Sequence, residues 1–230
     1  MQYVTRLLRV LIVSCLANYL LVCTAVVPLS GLSAGIVLLA LLVGYLVINI
    51  RPCRAPGATR RLRTLRGGYE LLMVAVWSIV ATGALWLWLY STDRLSGRMP
   101  GLPAWVPVVI DLLVWLVVMG PLVLNGFLRV LITCKRLRIV WRVLLLCCWW
   151  VPVFNLYLLY RVLRAARSEY YFDLGRIERE SVHAENEDCR TKYPILLVHG
   201  IFFRDWQLVN YWGRIPQALQ KCGARLYYGG

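Results

Sequence analysis

Long unbroken runs of apolar residues, separated by short polar segments, dominate the first two thirds of the chain. A helix of roughly 20 apolar residues is needed to cross a hydrocarbon core about 30 Å thick. Runs of about this length predict an α-helical multi-span membrane region with four spans: Val10–Val27, Leu32–Ile50, Leu71–Tyr90 and Trp105–Leu128.

The polar segments between these spans differ in charge. Arg51–Gly68 and Arg129–Arg142 are rich in arginine, whereas Pro28–Gly31 and Ser91–Pro103 are short turns with glycine and proline. Cytoplasmic loops of membrane proteins carry the excess of Lys and Arg. We therefore expect a multi-pass protein of the cell membrane, with the N-terminus and both basic segments in the cytoplasm and the two turns outside.

A fifth apolar run, Val143–Tyr160, has two interpretations. It contains Pro152 and Asn155 near its middle, and arginines flank both of its ends. It is either a fifth crossing or a broken helix that lies in the cytoplasmic interface. The basic flanks and the proline favour the interfacial helix, which would leave the rest of the chain in the cytoplasm.

The pattern changes after residue 168. Residues 1–168 hold 18 Lys and Arg against 3 Asp and Glu, whereas residues 169–230 hold 8 of each sign. We divide the chain into a membrane region (1–168), a charged linker (169–191) and a terminal domain (192–230). The linker is expected to be a solvated helix that ends in a polar loop and has no chemistry of its own.

Composition narrows the class of protein. The chain is 60% hydrophobic with a net charge of +15, and the whole basic excess lies in the apolar part. Arginines that punctuate apolar runs indicate a lipid bilayer as the partner and argue against nucleic acid. The four long runs also exclude a soluble enzyme.

The stretch Lys192–Gly230 has a different pattern. The apolar run Tyr193–Val198 is typical of a strand buried on both faces of a parallel sheet. Residues 210–223 predict a helix with Gly223 as its C-terminal stop, and 224–228 a second strand. The helical face is marked by three residues at helical spacing: Trp212, Ile215 and Leu219. Strand, helix and strand form one crossover unit of an α/β sheet.

Three blocks in this stretch resemble the start of a lipase-type α/β-hydrolase domain, as found in bacterial triacylglycerol lipases. They are Tyr193-Pro-Ile-Leu-Leu-Val-His-Gly-Ile201, Tyr211-Trp-Gly-Arg-Ile-Pro216 and Gly223-Ala-Arg-Leu-Tyr227. The resemblance covers residues 192–230 and implies carboxylic ester hydrolysis, with a lipid or another ester as substrate and without a cofactor.

The resemblance also implies site residues. Ile201 would supply one backbone N–H of the oxyanion hole, while His199 and Gly200 would shape that loop. The family's nucleophile elbow, acid and catalytic histidine come later in the chain than this strand. None of them is therefore expected among these residues, and we expect this chain to be an inactive fragment of such a hydrolase. The alternative is a sensor, channel or scaffold with a vestigial hydrolase-like tail.

Other candidate chemistry is weaker. Gly31-Leu-Ser-Ala-Gly35 fits the elbow pattern but lies between two spans, where small residues favour helix packing instead. The eight cysteines show no metal-ligand spacing, so no metal site is expected.

Asp111, inside the fourth span, is either a hydrogen-bonded structural acid or a coupling group for ions or protons. Glu70 is predicted to pair with Arg66 four residues before it.

Overall fold

A computed structural model of the protein describes residues 2–26, 31–53, 57–92, 105–147, 152–185, 187, 189–197 and 215–228. This part of the chain is mostly helical and has one small sheet. The helices and strands are α1 (Gln2–Ala17), α2 (Tyr19–Leu21), a π-helical turn (Val22–Val26), α3 (Gly31–Ile50), α4 (Arg60–Ser91), α5 (Trp105–Thr133), α6 (Ile139–Cys147), α7 (Pro152–Glu185), β1 (Ile195–Leu197), α8 (Ile215–Lys221) and β2 (Leu226–Tyr228).

Three helices are long and apolar enough to cross a membrane: Gly31–Ile50, Arg60–Ser91 and Val109–Thr133. Most leucines, valines and isoleucines of α3 face outward, whereas Ile48 is buried. An apolar helix exterior is stable in lipid and costly in water. The second, third and fourth predicted spans are therefore confirmed as helices of spanning length.

The first predicted span, Val10–Val27, is not one uninterrupted helix. Helix α1 ends at Ala17, and α2 begins after Asn18. Asn18 donates from its side chain to the Ser14 carbonyl at 2.8 Å and to Thr82 Oγ1 on α4 at 2.9 Å. An asparagine that bonds its own backbone and a neighbouring helix disturbs helical geometry locally. The described residues thus contain three uninterrupted spanning helices where the sequence predicted four.

Helices α1, α3, α4 and α5 pack together as a bundle. Their common core holds Val13, Leu16, Ala17, Ile48, Leu71, Val74, Ala75, Val118, Met119 and Leu122. Helices α1 and α4 run parallel, because their contacts advance along both in the same direction: Arg6 with Glu70, Asn18 with Thr82, and Leu21 with Leu89. The contacts Tyr45 with Val118 and Asn49 with Asn125 show the same for α3 and α5.

Helices α4 and α5 approach most closely at two glycines. A Cβ atom on Gly68 would lie 2.8 Å from the carbonyl oxygen of Gly126 and 2.8 Å from the Val130 side chain. A Cβ atom on Gly126 would lie 3.0 Å from the Leu72 side chain. Any larger residue at Gly68 would force the backbones apart, as expected for small residues at contacts between membrane helices.

Both predicted basic loops are shorter than expected. The segment Arg60–Gly68 is helical, because Thr59 caps α4 by accepting the Leu62 N–H, and arginine is a good helix former. Residues 129–133 likewise belong to α5, and 139–142 to α6. The loop prediction was wrong for these residues because charge marks the end of a membrane span, not the end of a helix.

The fifth apolar run is divided between two helices. Helix α6 ends at Cys147 and α7 begins at Pro152, and residues 148–151 lie outside the described part. Neither helix is among the three candidate spans. The described residues therefore assign both sides of the run to helix, and the choice between a fifth crossing and a broken interfacial helix stays a prediction.

The chain divides into two compact units, 1–170 and 171–230. In the second unit, β1 and β2 pair in parallel with Ile195 opposite Leu226 and Leu197 opposite Tyr228, and α8 lies between them in sequence. Gly223 follows α8 with φ +89°, as expected of a glycine that stops a helix. The predicted strand–helix–strand order and both strands are confirmed.

The strands are not buried on both faces as the sequence predicted. Leu197 is 7% exposed, but Leu196 is 60% exposed and its partner Tyr227 is 62% exposed. On α8, Ile215 of the predicted apolar face is also exposed, Leu219 is half-buried, and Trp212 lies outside the described residues. A sheet of two short strands has too little neighbouring structure to cover both of its faces.

Candidate functional site

The predicted oxyanion loop follows β1 directly. Leu197 is the last residue of β1, and His199, Gly200 and Ile201 lie outside the described residues. The described backbone that precedes them is β1, which is paired in register with β2, and the helix α8 before β2 ends in a turn. In that turn the N–H of Ala224 donates to the Leu219 carbonyl at 3.0 Å.

Buried charge is concentrated at one end of the bundle, which we call the basic end. There Glu70 accepts from Arg6 Nε at 2.9 Å and Arg6 Nη2 at 2.7 Å, and from Arg66 Nη2 at 2.9 Å. The ring of Tyr69 lies 5.3 Å from the Arg66 guanidinium and 6.0 Å from that of Arg6. The predicted Arg66–Glu70 pair is confirmed, and Arg6 of α1 extends it into an interhelical network.

Glu169 is the second buried carboxylate of the basic end, and it is 2% exposed. Its oxygens accept from the backbone N–H of Lys135 at 3.1 Å and of Arg136 at 2.8 Å, and from the Arg61 guanidinium. The Cys134 thiol lies 3.2 Å from Oε2. Burial alone raises the pKa of Glu169, but these donors stabilise the ionised form and hold its pKa below the ordinary value. The prediction of a solvated linker is therefore wrong for Glu169.

Arg129 binds the C-terminal end of α3, which also lies at the basic end of the bundle. Its Nη2 donates to the Asn49 carbonyl at 2.7 Å and its Nε to Asn125 Oδ1 at 2.9 Å. Asn125 Nδ2 also donates to the Asn49 carbonyl, at 3.0 Å. The last carbonyls of a helix have no partner within it, so a cation and an amide placed there stabilise it. This contact and that of Arg61 with the Thr133 carbonyl place both basic segments at one end of the bundle.

The cysteines at the basic end are not activated. Burial, together with Glu169, raises the pKa of Cys134 to about 11, and burial raises the pKa of Cys53 as well. A raised pKa keeps a thiol protonated and unreactive at neutral pH. Within the described ranges, no group of three His, Cys, Asp or Glu side chains is close enough to hold a metal ion.

Asp111 lies at the other end of the bundle, which we call the Asp111 end. It is 2% exposed, and its carboxylate accepts a hydrogen bond from the Trp86 indole of α4. Its Oδ1 has no hydrogen-bond partner among the residues that the structure describes, and the same is true of Nε1 of Trp115, one turn further along α5. Asp111 is thus a buried acid with one carboxylate oxygen that has no partner within the described part of the chain.

Two groups at the bundle were missed from the sequence. Glu169 was missed because its partners are Arg61 of α4 and the backbone N–H of Arg136 between α5 and α6. Both are distant in sequence, so the spacing of residues within α7 does not reveal them. Asn18 was missed although a signal existed: an amide in the middle of an apolar run needs a partner on a neighbouring helix.

No protein-family model matches the chain, and no curated protein or solved structure shows significant similarity to it.

Proposed function

We propose that the chain is the membrane anchor and first sheet unit of a membrane-tethered carboxylic ester hydrolase of the lipase type. The observation that carries the proposal is the parallel pairing of β1 with β2 across α8, directly after a membrane region. Parallel pairing requires a crossover connection, and repeated crossovers build the α/β sheets of such hydrolases. In the motif Tyr193–Ile201, His-Gly-Ile begins two residues after the end of β1, where the family places its oxyanion loop.

The uncovered face of the small sheet supports the same proposal. Leu196 and Tyr227 form a large apolar pair on that face. In a doubly wound sheet helices cover both faces, so this pair is suited to further packing. In the proposed enzyme, the Ile201 N–H stabilises the oxyanion formed when a serine attacks the ester carbonyl. Residues 201–230 contain neither serine nor histidine, so the nucleophile and the base must come from elsewhere.

The proposal includes a fourth crossing by residues 6–21. These residues contact α4 from Glu70 to Leu89, which at 1.5 Å per residue is about 28 Å of helix. That distance is close to the hydrocarbon thickness of about 30 Å. We infer that a segment that follows a spanning helix over this length crosses with it despite the interruption at Asn18. The basic end is then cytoplasmic by the positive-inside rule.

Reading the gene past the codon for Gly230 tests the enzymatic part. An open frame with Gly-x-Ser-x-Gly within about 60–90 further residues is expected, since strand–helix units run about 30 residues each. The longer product should then react with a fluorophosphonate probe and hydrolyse p-nitrophenyl esters, whereas the 230-residue chain should do neither. A stop codon after Gly230 would instead favour the non-enzymatic sensor, channel or scaffold.

Cysteine labelling tests the topology independently of the enzyme. Arg63→Cys and Ser91→Cys lie near the two ends of α4, about 42 Å apart, and both parent residues are exposed. In intact cells an impermeant maleimide should label Ser91→Cys and not Arg63→Cys, against a background in which the native cysteines are replaced by alanine. Restoring Cys189 in that background reports the side of the tail, which is expected to be protected. Labelling of both ends of α4 would contradict the crossing.

A further inference from the structure

A pocket between α4 and α5 at the Asp111 end has a volume of about 280 Å³, and it is lined by Thr82, Trp86, Asp111, Leu112 and Trp115. We propose that it binds an organic ammonium cation that also carries an oxygen acceptor, as in choline, ethanolamine and their phosphate esters. The proposal concerns the membrane region alone and does not depend on the hydrolase-like tail.

The charge of the pocket comes from Asp111. A carboxyl group that is 2% exposed within apolar helices is stable as an anion only beside a compensating charge or hydrogen bonds. Trp86 supplies one hydrogen bond, and Oδ1 has no partner within the described ranges. The arginines in the described parts of α1, α4 and α5 all belong to the basic end, where the nearest in α5 is Arg129, about 27 Å of helix away. A cation that enters the pocket would meet an anion without a competing arginine from these helices.

The lining selects an organic cation over an inorganic one. Calcium requires six to eight oxygen ligands and magnesium six, but among the described residues the pocket offers only the Asp111 carboxylate and the Thr82 hydroxyl. The remaining walls are the indoles of Trp86 and Trp115 and the Leu112 side chain. Tryptophan faces attract ammonium groups by cation–π interaction, and most strongly those with alkyl substituents that are weakly hydrated.

Trp115 indicates the second feature of the ligand. Its indole Nε1 is buried and has no acceptor within the described part of the chain, and an unpaired buried donor is costly. A ligand with a hydroxyl or phosphoester oxygen beside its ammonium group would accept this hydrogen bond while the ammonium neutralises Asp111. Simple tetraalkylammonium ions lack that oxygen and should bind more weakly than choline.

The depth of the pocket allows two sources for the ligand. Asp111 lies six residues after the start of α5 and Trp86 five residues before the end of α4, which is about 7–9 Å of helix in each case. This is near the level of lipid headgroups, so either a phospholipid headgroup or a free amine in water can reach the pocket. The chemistry recognised is the same for both.

Calorimetric titration of the purified chain in a neutral detergent tests the site. Choline chloride should give saturable binding that KCl of equal ionic strength does not give. Asp111→Asn, which keeps the side-chain shape, should weaken choline binding at least about tenfold, since it removes the one charge among the described residues that line the pocket. Trp115→Leu should weaken it by about threefold to tenfold, as expected for one cation–π contact. Glu178→Gln and Trp77→Leu are matched controls on exposed positions and should bind as the parent does.

A second arm separates the two sources. Nanodiscs of phosphatidylcholine or phosphatidylglycerol are prepared with the parent chain and with Asp111→Asn, and the lipids retained after detergent extraction are measured by native mass spectrometry. Selective retention of phosphatidylcholine by the parent identifies a lipid headgroup, whereas choline binding without lipid retention identifies a soluble amine.

Three results would overturn the proposal: no saturable binding of choline or choline lipid, equal displacement of choline by K⁺, or full affinity in Asp111→Asn that elutes as a folded species.

Discussion

The two ends of the helical bundle hold buried acids in opposite ways. At the basic end, Glu70 and Glu169 each accept three or more hydrogen bonds from arginines or backbone N–H groups. At the Asp111 end, one carboxylate oxygen and one indole N–H have no partner in the described part of the chain. A buried carboxylate is therefore not by itself a sign of function. The number of donors it meets distinguishes an anchor of the fold from a group that is left to bind a ligand.

Removal of Glu169 should produce the largest loss of stability. Glu169→Ala leaves the Arg61 guanidinium and two backbone N–H groups without their buried acceptor, and breaking one partner of such a cluster costs about 3–5 kcal/mol. Chemical unfolding in detergent, followed by circular dichroism, measures the change. Glu178→Gln, on the exposed part of α7, should stay within about 0.5 kcal/mol of the parent. Equal effects of the two variants would contradict the structural role of Glu169.

The pH dependence of stability tests the same carboxylate. The folded-state pKa of Glu169 lies below its ordinary value of 4.5, so its ionised form stabilises the fold above that pH. As pH falls below 4.5 and through the folded-state pKa, this stabilisation should disappear. The stability gap between the parent and Glu169→Gln should therefore be full near pH 7 and should narrow below pH 4.5. A gap that is constant down to pH 3 would show that Glu169 acts through shape and not through charge.

Two glycines of α4 allow the packing density at the two ends of the bundle to be compared. At the basic end, Gly68→Ala places a methyl group 2.8 Å from a backbone oxygen of α5, and overpacking of this kind costs about 1–3 kcal/mol. At the other end, a methyl group on Gly83 meets no described atom within 4 Å, so Gly83→Ala should stabilise the helix by about 0.5–1 kcal/mol. Thermal unfolding of both variants measures the difference. Destabilisation by both would mean that the two ends are equally close-packed.

Replacement of Asp111 should have the smallest effect on stability and a different sign from that of Glu169. Asp111→Leu removes a buried acid that is only partly satisfied, so we expect a change between zero and about 1 kcal/mol of stabilisation. The same unfolding assay applies, with Glu169→Leu as the matched variant at the basic end. A loss of several kcal/mol in Asp111→Leu would show that Asp111 anchors the fold, and the contrast between the two ends would then fail.

The sequence predicted what depends on local pattern. Apolar run length located α3, α4 and α5, and the glycine at 223 marked the end of α8. The parallel strands were predictable because a strand, a helix and a strand in close succession have few other ways to pair. Arg66 and Glu70 were paired correctly because their spacing of four places them on one helix face.

What the sequence did not predict depends on distant contacts. The carboxylate of Glu169 stands in a charged segment that is typical of solvent, and only its placement beside Arg61, 108 residues earlier, explains its burial. The division of the first span at Asn18 likewise depends on Thr82 of another helix. In both cases a residue distant in sequence determines whether the polar side chain is buried. The neighbouring residues in the sequence do not predict this burial.

The parallel alignment of α1 with α4 has a consequence for biosynthesis. Arg6 and Asn18 each find their α4 partner 64 residues later in the chain. At about 5–20 residues per second, the ribosome adds those residues in roughly 3–13 seconds. In the proposed topology, in which residues 6–21 cross the membrane, the first helix enters it during that interval, before the α4 partners of its guanidinium and amide have been synthesised. Its incorporation is therefore completed only when α4 emerges, so the third apolar segment acts as a late partner for the first.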